Sequence, residues 1–355
     1  MEKTSLKPSI SSLILIAALG VAGAIGLAVP IAHADDGALL VGDTPPGSIL
    51  RYNATTGAFI DVFVPPGTGG ITGTCCPVFG PDGNLYLNSG PSNSIFRFNG
   101  ATGAFIDVFV PPGSGGLSFP VVLVFGPDEN LYVGDIVNAS ILRYNGSTGA
   151  FIDAFVPSGS AGMTQGDPQT FLFGPDGNLY VASPRGNNSV LRFDGTTGAF
   201  IDVFVPPGSG GLNAPVGLAF GPDGNLYVGS ILTNSVLRYN GTTGDFIDTF
   251  VPSGSGGLNR PIGVVFGPDD ENLYVASLGN ASILRYNGST GAFIDAFVPS
   301  GSGGLILPRL FAFSPSITIC HRPPGISGKQ KTLRIGQLSV NDHLAHGDSI
   351  GACEE

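Results

Sequence analysis

Short apolar runs alternate with turn segments along most of the chain. In the unit that begins at Pro215, the apolar runs are Val216 to Phe220, Leu226 to Gly229, Ser235 to Tyr239 and Phe246 to Val251. Asp-Gly-Asn separates the first two runs and Asn-Gly-Thr-Thr-Gly the last two, and both segments contain residues that tolerate a positive φ. Each unit is therefore predicted to form four antiparallel strands, which we call A to D.

This four-stranded unit repeats along the chain. The phrase Gly-Ala-Phe-Ile-Asp and a close variant recur at spacings of 46 to 49 residues, with their Phe at positions 59, 105, 151, 200, 246 and 293. A second phrase, Gly-Pro-Asp-Gly-Asn-Leu-Tyr, recurs with small variations from Gly80, Gly126, Gly174, Gly221 and Gly267. A period of this length, filled with short strands, is typical of a β-propeller, in which neighbouring blades cover each other's faces.

The two ends of the repeat region determine the number of blades. Residues Leu39 to Val41, Ile49 to Tyr52 and Phe59 to Val64 match strands B, C and D, with no strand A before them. Residues Pro308 to Pro315 match a strand A and its turn. Five whole units and one shared unit predict an all-β, six-bladed propeller over residues 35–315, in which a C-terminal strand A joins the N-terminal strands B, C and D.

The repeats resemble those of the NHL-repeat propellers. The segments Pro215-Val-Gly-Leu-Ala-Phe-Gly-Pro-Asp-Gly-Asn-Leu-Tyr-Val228 and Pro261-Ile-Gly-Val-Val-Phe266 carry the resemblance, which covers roughly residues 38–315. The resemblance implies an architecture rather than an activity, because receptors, scaffolds, lyases and lactonases all use this fold.

Residues 1–34 have the pattern of a secretory signal peptide. Lys3 and Lys7 precede an uncharged apolar run from Leu13 to Val29, and Ala32-His33-Ala34 supplies small residues at the cleavage positions. An uncleaved membrane anchor is the alternative, and we expect no other membrane span. The chain is thus predicted to be secreted, periplasmic or on the cell surface, where disulfides can form.

Composition and charge restrict the class of partner. The 24 Phe and 9 Tyr provide a large core and exclude disorder for most of the chain, while 56 Gly and 29 Pro agree with many tight turns. The net charge of −11 argues against nucleic acid and anionic lipid, which are bound by clustered Lys and Arg. We expect a monomer that binds an unknown protein or a small extracellular ligand, and a cationic ligand agrees with the charge.

Alignment of the A strands predicts a ring of side chains at one mouth of the central channel. The ring position, which follows a Pro in five of the A strands and Thr74 in the other, is occupied in turn by Cys75, Val121, Gln169, Val216, Ile262 and Arg309. The D–A and B–C loops on this face differ in length between repeats, whereas the A–B and C–D turns on the other face are nearly identical. Variable loops on a repeated scaffold favour a binding surface, although unconstrained loop drift is an alternative explanation.

We predict a ligand site from the polar members of this ring and the adjoining loops. Its residues are Cys75, Cys76, Gln169, Arg309, Asp167 and Arg185. Cys75 and Cys76 could form a vicinal disulfide in contact with a ligand, but buried thiols are the simpler interpretation. A second ring, deeper in the channel, is predicted to pack between blades: Phe79, Phe125, Phe173, Phe220, Phe266 and Phe313.

The residues needed for catalysis are scarce in the repeat region. Related propellers include gluconolactonase-like enzymes, which hold a divalent metal with Glu, Asn and Asp, and streptogramin lyase-like enzymes, which use a His base. Residues 35–320 contain no His or Lys, and their only Glu are Glu129 and Glu271, both in A–B turns. General acid–base catalysis needs a positioned titratable group. This favours a non-enzymatic binding or scaffold protein over the two alternatives, a metal-dependent gluconolactonase-like hydrolase and a structural cell-surface repeat protein.

Repeated acidic residues have simpler explanations than catalysis. The Asp of each Phe-Ile-Asp phrase lies one strand from an Arg on strand C, which predicts cross-strand ion pairs. The Asp of the Gly-Pro-Asp-Gly turns could bind calcium, but Asp is a favoured turn residue and no calcium-loop spacing follows it.

Residues 316–355 form a separate Cys- and His-rich module. The segments Cys320-His-Arg-Pro-Pro-Gly325 and His343-Leu-Ala-His-Gly-Asp348 resemble a module found at the C-termini of secreted bacterial proteins. In an exported chain, Cys320 and Cys353 are predicted to form a disulfide. His321, His343 and His346 could bind zinc or copper, and a role in attachment or protein contact is the alternative.

Overall fold

The computed structural model describes residues 37–321, 331–336, 348–350 and 353. Over this part of the chain, six four-stranded antiparallel sheets surround a central axis, and a three-stranded sheet follows them. The predicted fold class, an all-β six-bladed propeller, is confirmed. The predicted signal segment lies outside the described residues.

The strands follow the repeat in chain order. Blade 1 contains β1 (Ala38–Asp43), β2 (Ser48–Asn53) and β3 (Phe59–Val64), and blade 2 contains β4 (Val78–Phe79), β5 (Leu85–Ser89), β6 (Ser94–Phe98) and β7 (Phe105–Val110). Blade 3 contains β8 (Pro120–Phe125), β9 (Leu131–Asp135), β10 (Ser140–Tyr144) and β11 (Phe151–Val156), and blade 4 contains β12 (Thr170–Phe173), β13 (Leu179–Ser183), β14 (Ser189–Phe193) and β15 (Phe200–Val205). Blade 5 contains β16 (Pro215–Phe220), β17 (Leu226–Ser230), β18 (Ser235–Tyr239) and β19 (Phe246–Val251), and blade 6 contains β20 (Pro261–Phe266), β21 (Leu273–Ser277), β22 (Ser282–Tyr286) and β23 (Phe293–Val298).

The remaining elements are short. The strand β24 (Pro308–Phe313) pairs antiparallel with β1, so that blade 1 contains strands from both ends of the propeller. The strands β25 (Ser316–His321), β26 (Lys331–Gly336) and β27 (Ser349–Ile350) form the three-stranded sheet. One-turn 3-10 helices occur at Thr68–Gly70, Ser114–Gly116, Ser160–Gly162, Ser209–Gly211, Ser255–Gly257, Leu278–Asn280 and Ser302–Gly304. No helix in the described residues is long and apolar enough to cross a membrane.

Aromatic residues pack one blade against the next. The ring of Tyr132, on strand B of blade 3, meets Phe155 of its own blade at 4.9 Å and Phe173 of blade 4 at 5.0 Å, both edge-on. The same contact recurs between the next pairs of blades up to Tyr274 and Phe313. The deeper Phe ring therefore packs between blades, as the sequence predicts. Burial raises the pKa of Tyr227 in this layer to about 12.

Ion pairs hold strand D of each blade to strand C. The guanidinium of Arg238 donates to both carboxylate oxygens of Asp248, from Nε at 3.2 Å and from Nη2 at 2.5 Å, and lies over the ring of Phe250. Equivalent pairs join Arg51 to Asp61, Arg97 to Asp107, Arg143 to Asp153, Arg192 to Asp202 and Arg285 to Asp295. The predicted cross-strand pairing is confirmed in all six blades.

Glycine in the C–D turn allows the blades to approach closely. Gly244 has φ +77°, and a Cβ atom there would lie 1.9 Å from the carbonyl oxygen of Phe204 in the preceding blade. Any side chain would therefore collide with the neighbouring backbone, which explains why a glycine recurs at this turn position.

Candidate functional site

The predicted ring of A-strand residues surrounds the central axis. A narrow cavity of about 20 Å³ is lined by all six members of the ring together with three neighbouring residues: Cys75, Cys76, Val121, Gln169, Thr170, Val216, Ile262, Arg309 and Leu310. Alignment of the A strands thus gives the correct set, because equivalent strand positions of a closed propeller face the same axis. Farther along the A strands, an apolar cavity of about 140 Å³ begins at Cys76 and Pro77.

Cys75 and Cys76 form a vicinal disulfide, so the preference for buried thiols is wrong. The bridged pair and Pro77 occupy the first part of strand A in blade 2. Strand A of this blade therefore contains only Val78–Phe79. The backbone N–H of Cys75 donates to Oδ1 of Asn88 at 3.3 Å. Gly42 of blade 1 accommodates the carbonyl of Cys75, which would lie 2.1 Å from a Cβ atom at that position.

A larger cavity opens beside the axis on the face formed by the D–A and B–C loops. Its volume is about 370 Å³, and it shares Gln169, Val216, Ile262 and Arg309 with the narrow cavity. Loop residues complete its lining: Pro184, Arg185, Asn188, Asn213, Ala214, Ile231, Leu232 and Arg260. The cavity therefore lies on the variable face that the repeat comparison selects.

Asp167, one of the predicted ligand residues, does not line either cavity. Asp167 is fully buried, and its carboxylate accepts hydrogen bonds from the backbone N–H groups of Thr164, Arg185 and Gly186 and from the hydroxyl of Ser183. It is absent from the described lining of both cavities. Its interactions assign it to loop organisation rather than to ligand contact.

The loop around Asp167 positions Arg185 and Gln169 at the cavity. The side chain of Arg185 lies over Gly166, where a Cβ atom would come within 2.8 Å of its Cγ, and Gly166 has φ +100°. The side-chain amide of Gln169 donates to the carbonyl of Gly166 at 2.6 Å. The D–A loop from Val156 to Pro168 is two residues longer than the equivalent loop from Val205 to Pro215, and it brings two polar side chains to the cavity.

Arg260 is a cavity residue that the sequence comparison misses. It precedes strand A of blade 6 with φ +57°, and its backbone N–H donates to Oδ1 of Asn234 at 2.8 Å. The sequence does distinguish Arg260, because this residue is an arginine outside the repeated strand C position. Residues 38–315 contain nine Arg, six at the repeated strand C position, and the other three are Arg185, Arg260 and Arg309.

Arg309 is the most buried of these three cations. Its Nε has no hydrogen-bond partner among the described residues. Burial lowers the pKa of Arg309, and the positive charge of Arg260 adds to this effect. The three arginines thus place positive charges in the lining of the cavity although the chain carries a net charge of −11.

The lining offers binding groups rather than acid–base groups. Among the described residues that line the two cavities at this face, none carries a carboxylate or an imidazole. Guanidinium and amide groups can orient a ligand through hydrogen bonds, and Ile231, Leu232 and Ile262 add apolar surface for its carbon skeleton.

The other predicted sites have local explanations or are incompletely described. In the A–B turns, Asp223 accepts hydrogen bonds from both nitrogens of Asn225 and from the Tyr227 hydroxyl, as expected for turn chemistry. No group of three or more potential metal ligands occurs among the described His, Cys, Asp and Glu. Residues 343 and 346 lie outside the described residues, so the zinc or copper site stays a prediction.

The described part of the C-terminal module contains one feature that the sequence predicts, a disulfide, and one that it does not, a contact between His321 and Asp348. The disulfide between Cys320 and Cys353 is formed, as predicted. His321 lies with its Nδ1 at 2.9 Å from a carboxylate oxygen of the buried Asp348, an interaction that orients the imidazole ring.

Comparisons with known proteins support the fold. No protein-family model and no curated protein matches the chain, so the resemblance to NHL-repeat propellers stays a prediction. Among solved structures, a chain of the nidogen/laminin complex aligns with 16% identity and a TM-score of 0.61, covering 78% of this chain and 97% of that chain. A protein of unknown function from Bacteroides caccae aligns with 14% identity and a TM-score of 0.57, covering 78% and 98%.

An enzyme is also among the similar structures. Catalytically inactive virginiamycin B lyase from Staphylococcus aureus, solved with quinupristin, aligns with 18% identity and a TM-score of 0.54, covering 79% of this chain and 93% of that chain. At these identities the alignments establish the propeller fold alone, because one fold supports both binding and catalysis.

Proposed function

We propose that this chain is an exported, non-enzymatic binding protein that holds its ligand at the D–A and B–C loop face of the propeller. One observation carries the proposal. The cavity of about 370 Å³ on this face is lined by residues at which the repeats differ, and none of its described side chains is a carboxylate or an imidazole. A volume of this size is in the range of small-molecule sites.

The fixed and variable parts of the repeat agree with this function. The A–B and C–D turns contain the same hydrogen bonds in successive blades, for example from Asn225 to Asp223 and from Asn178 to Asp176. These turns support the scaffold. Departures from the repeat occur around the narrow cavity. They include the loop that contains Gly166 and the bridge between Cys75 and Cys76, and they change the polar groups at the cavity without altering the blades.

Export is part of the proposal. The two disulfides, Cys75–Cys76 and Cys320–Cys353, support an oxidising compartment, because such bonds are rare in the cytosol. Mass spectrometry of the protein recovered from the envelope and the medium would test this prediction. A mature N-terminus at Asp35 is expected, and a protein that is retained in the cytosol with its first residues intact would contradict it.

A ligand screen with paired surface variants tests the binding site. Small organic acids, saccharides and short peptides would be screened by thermal shift, and hits would be titrated by calorimetry. Binding should be lost in Gln169→Ala combined with Arg309→Ala. It should persist in Thr55→Ala, which alters a cavity of about 260 Å³ lined by Thr55 and Asp269 in the turns of the other face. Hits that respond only to Thr55→Ala would place the site elsewhere.

A further inference from the structure

Three arginines converge on the larger cavity without ion-pair partners among the described residues. Arg185 comes from the B–C loop of blade 4, Arg260 from the D–A loop before blade 6, and Arg309 from the strand A shared with blade 1. The other six propeller arginines are paired with Asp on strand D. The six arginines of the repeat are thus neutralised within the blades, whereas these three have no acidic partner over the described ranges of the chain.

The described lining of the cavity contains no carboxylate that could balance the three charges. Asp167, on the adjoining D–A loop, accepts hydrogen bonds with its carboxylate oxygens from the backbone of Thr164, Arg185 and Gly186 and from the hydroxyl of Ser183. Arg309 is half-buried, its Nε has no described hydrogen-bond partner, and Arg260 adds a like charge beside it. Convergent like charges are unfavourable in the free protein, and an anion bound between them would relieve the repulsion.

We propose that this cavity binds a small organic anion whose carboxylate groups pair with Arg185, Arg260 and Arg309. This inference rests on the proposed binding function and specifies the ligand class. A planar guanidinium donates two parallel hydrogen bonds to a carboxylate, which makes arginine the preferred partner of such groups. The apolar side chains of Ile231, Leu232 and Ile262 in the same lining provide contacts for the rest of the molecule.

Anion titrations with charge-matched variants test this inference. Sulfate, phosphate and citrate would be titrated into the full mature protein at constant ionic strength, with calorimetry and thermal unfolding as readouts. We expect at least one of these anions to bind and stabilise the wild type, with citrate the strongest. Arg260→Gln and Arg309→Gln should each weaken that binding at least tenfold. Arg238→Gln, which removes the same charge from an ion pair on strands C and D, should leave it unchanged.

A second readout does not depend on the choice of anion. In anion-free, low-salt buffer, Arg260→Gln should raise the melting temperature because it removes the repulsion toward Arg309. Arg238→Gln should lower it because it breaks the pair with Asp248. An arginine with a purely structural role at position 260 would give a decrease in both variants.

The outcomes separate this inference from the proposed function. Binding of none of the three anions, or equal binding by the wild type, Arg260→Gln and Arg309→Gln, would overturn the inference. If a neutral ligand from the screen then bound the same face and lost affinity in Gln169→Ala, the binding function would stand without the anion preference. Failure of both experiments would overturn both proposals.

Discussion

The close approach of the blades can be tested with two glycines that have the same backbone conformation. Gly244, in the C–D turn of blade 5, has φ +77° and faces the carbonyl oxygen of Phe204, which would lie 1.9 Å from a Cβ atom. Gly254, in the following D–A loop, has φ +78° with nothing within 4 Å of a Cβ atom. Alanine at either position adopts the same unfavourable φ, but only alanine at 244 collides with the neighbouring blade.

The structure sets the expected sizes of the two effects. A left-handed conformation costs a non-glycine residue about 1–2 kcal/mol, and this should be the whole effect of Gly254→Ala. Gly244→Ala adds a collision with fixed backbone, and overpacking of this kind costs about 1–3 kcal/mol more. The unfolding free energy should therefore fall by about 1–2 kcal/mol in Gly254→Ala and by about 2–5 kcal/mol in Gly244→Ala.

Chemical denaturation gives the comparison directly. The chain contains no Trp, so unfolding in urea would be followed by circular dichroism and by Tyr fluorescence. The difference between the two variants measures the contact between blades, because the conformational cost is common to both. Equal losses of stability in the two variants would show instead that blade 5 can move away from blade 4 at little cost in free energy.

Three further predictions concern the scaffold. A double-mutant cycle on Arg238 and Asp248, measured by urea denaturation, should give a coupling free energy of about 0.5–1 kcal/mol, because the ion pair is partly exposed to solvent. A coupling free energy of zero would contradict a stabilising role for the pair. Burial raises the pKa of Asp43 above its ordinary value, so ionisation of this group lowers the stability of the folded protein as the pH rises through the raised pKa. Asp43→Asn should therefore gain stability relative to wild type as the pH rises from below the ordinary Asp pKa, measured by urea denaturation, and a difference that does not change with pH would contradict this. Replacing Cys320 and Cys353 by Ser should make the C-terminal module sensitive to limited proteolysis while leaving the propeller intact, because the disulfide closes a loop with a sequence separation of 33. The cleavage products would be identified by mass spectrometry, and the same products from the wild type and the variant would contradict this prediction.

The repeat made the fold predictable from the sequence. In the unit that begins at Pro215, strands C and D have the predicted bounds, and strands A and B differ from the predicted ones by a single residue. Six aligned copies also place Gln169 and Arg309 in the same ring, because a closed propeller directs equivalent A-strand positions to one axis. Periodicity was sufficient to identify side chains that share the axis although they are distant in sequence.

Features that break the repeat were harder to predict. Asp167 looked like a ligand residue, but four donors in its own and the adjoining loop surround its carboxylate, and a single sequence does not show that loop geometry. Arg260 lies on a loop outside the aligned A strands, so alignment on their prolines passes over it. The net charge of −11 describes the chain as a whole and does not show where positive side chains collect, because the local potential depends on which charges are paired.

In the proposed site, the D–A and B–C loop face binds an anionic ligand between Arg185, Arg260 and Arg309, which have no ion-pair partner in the part of the chain that the structure describes. The most direct test is a crystal structure of the mature protein grown with selenate, in which the anomalous signal of selenium locates the bound anion. We expect a peak in the cavity within hydrogen-bonding distance of Arg309 and of Arg185 or Arg260. An empty cavity in crystals that hold selenate at other surfaces would contradict it.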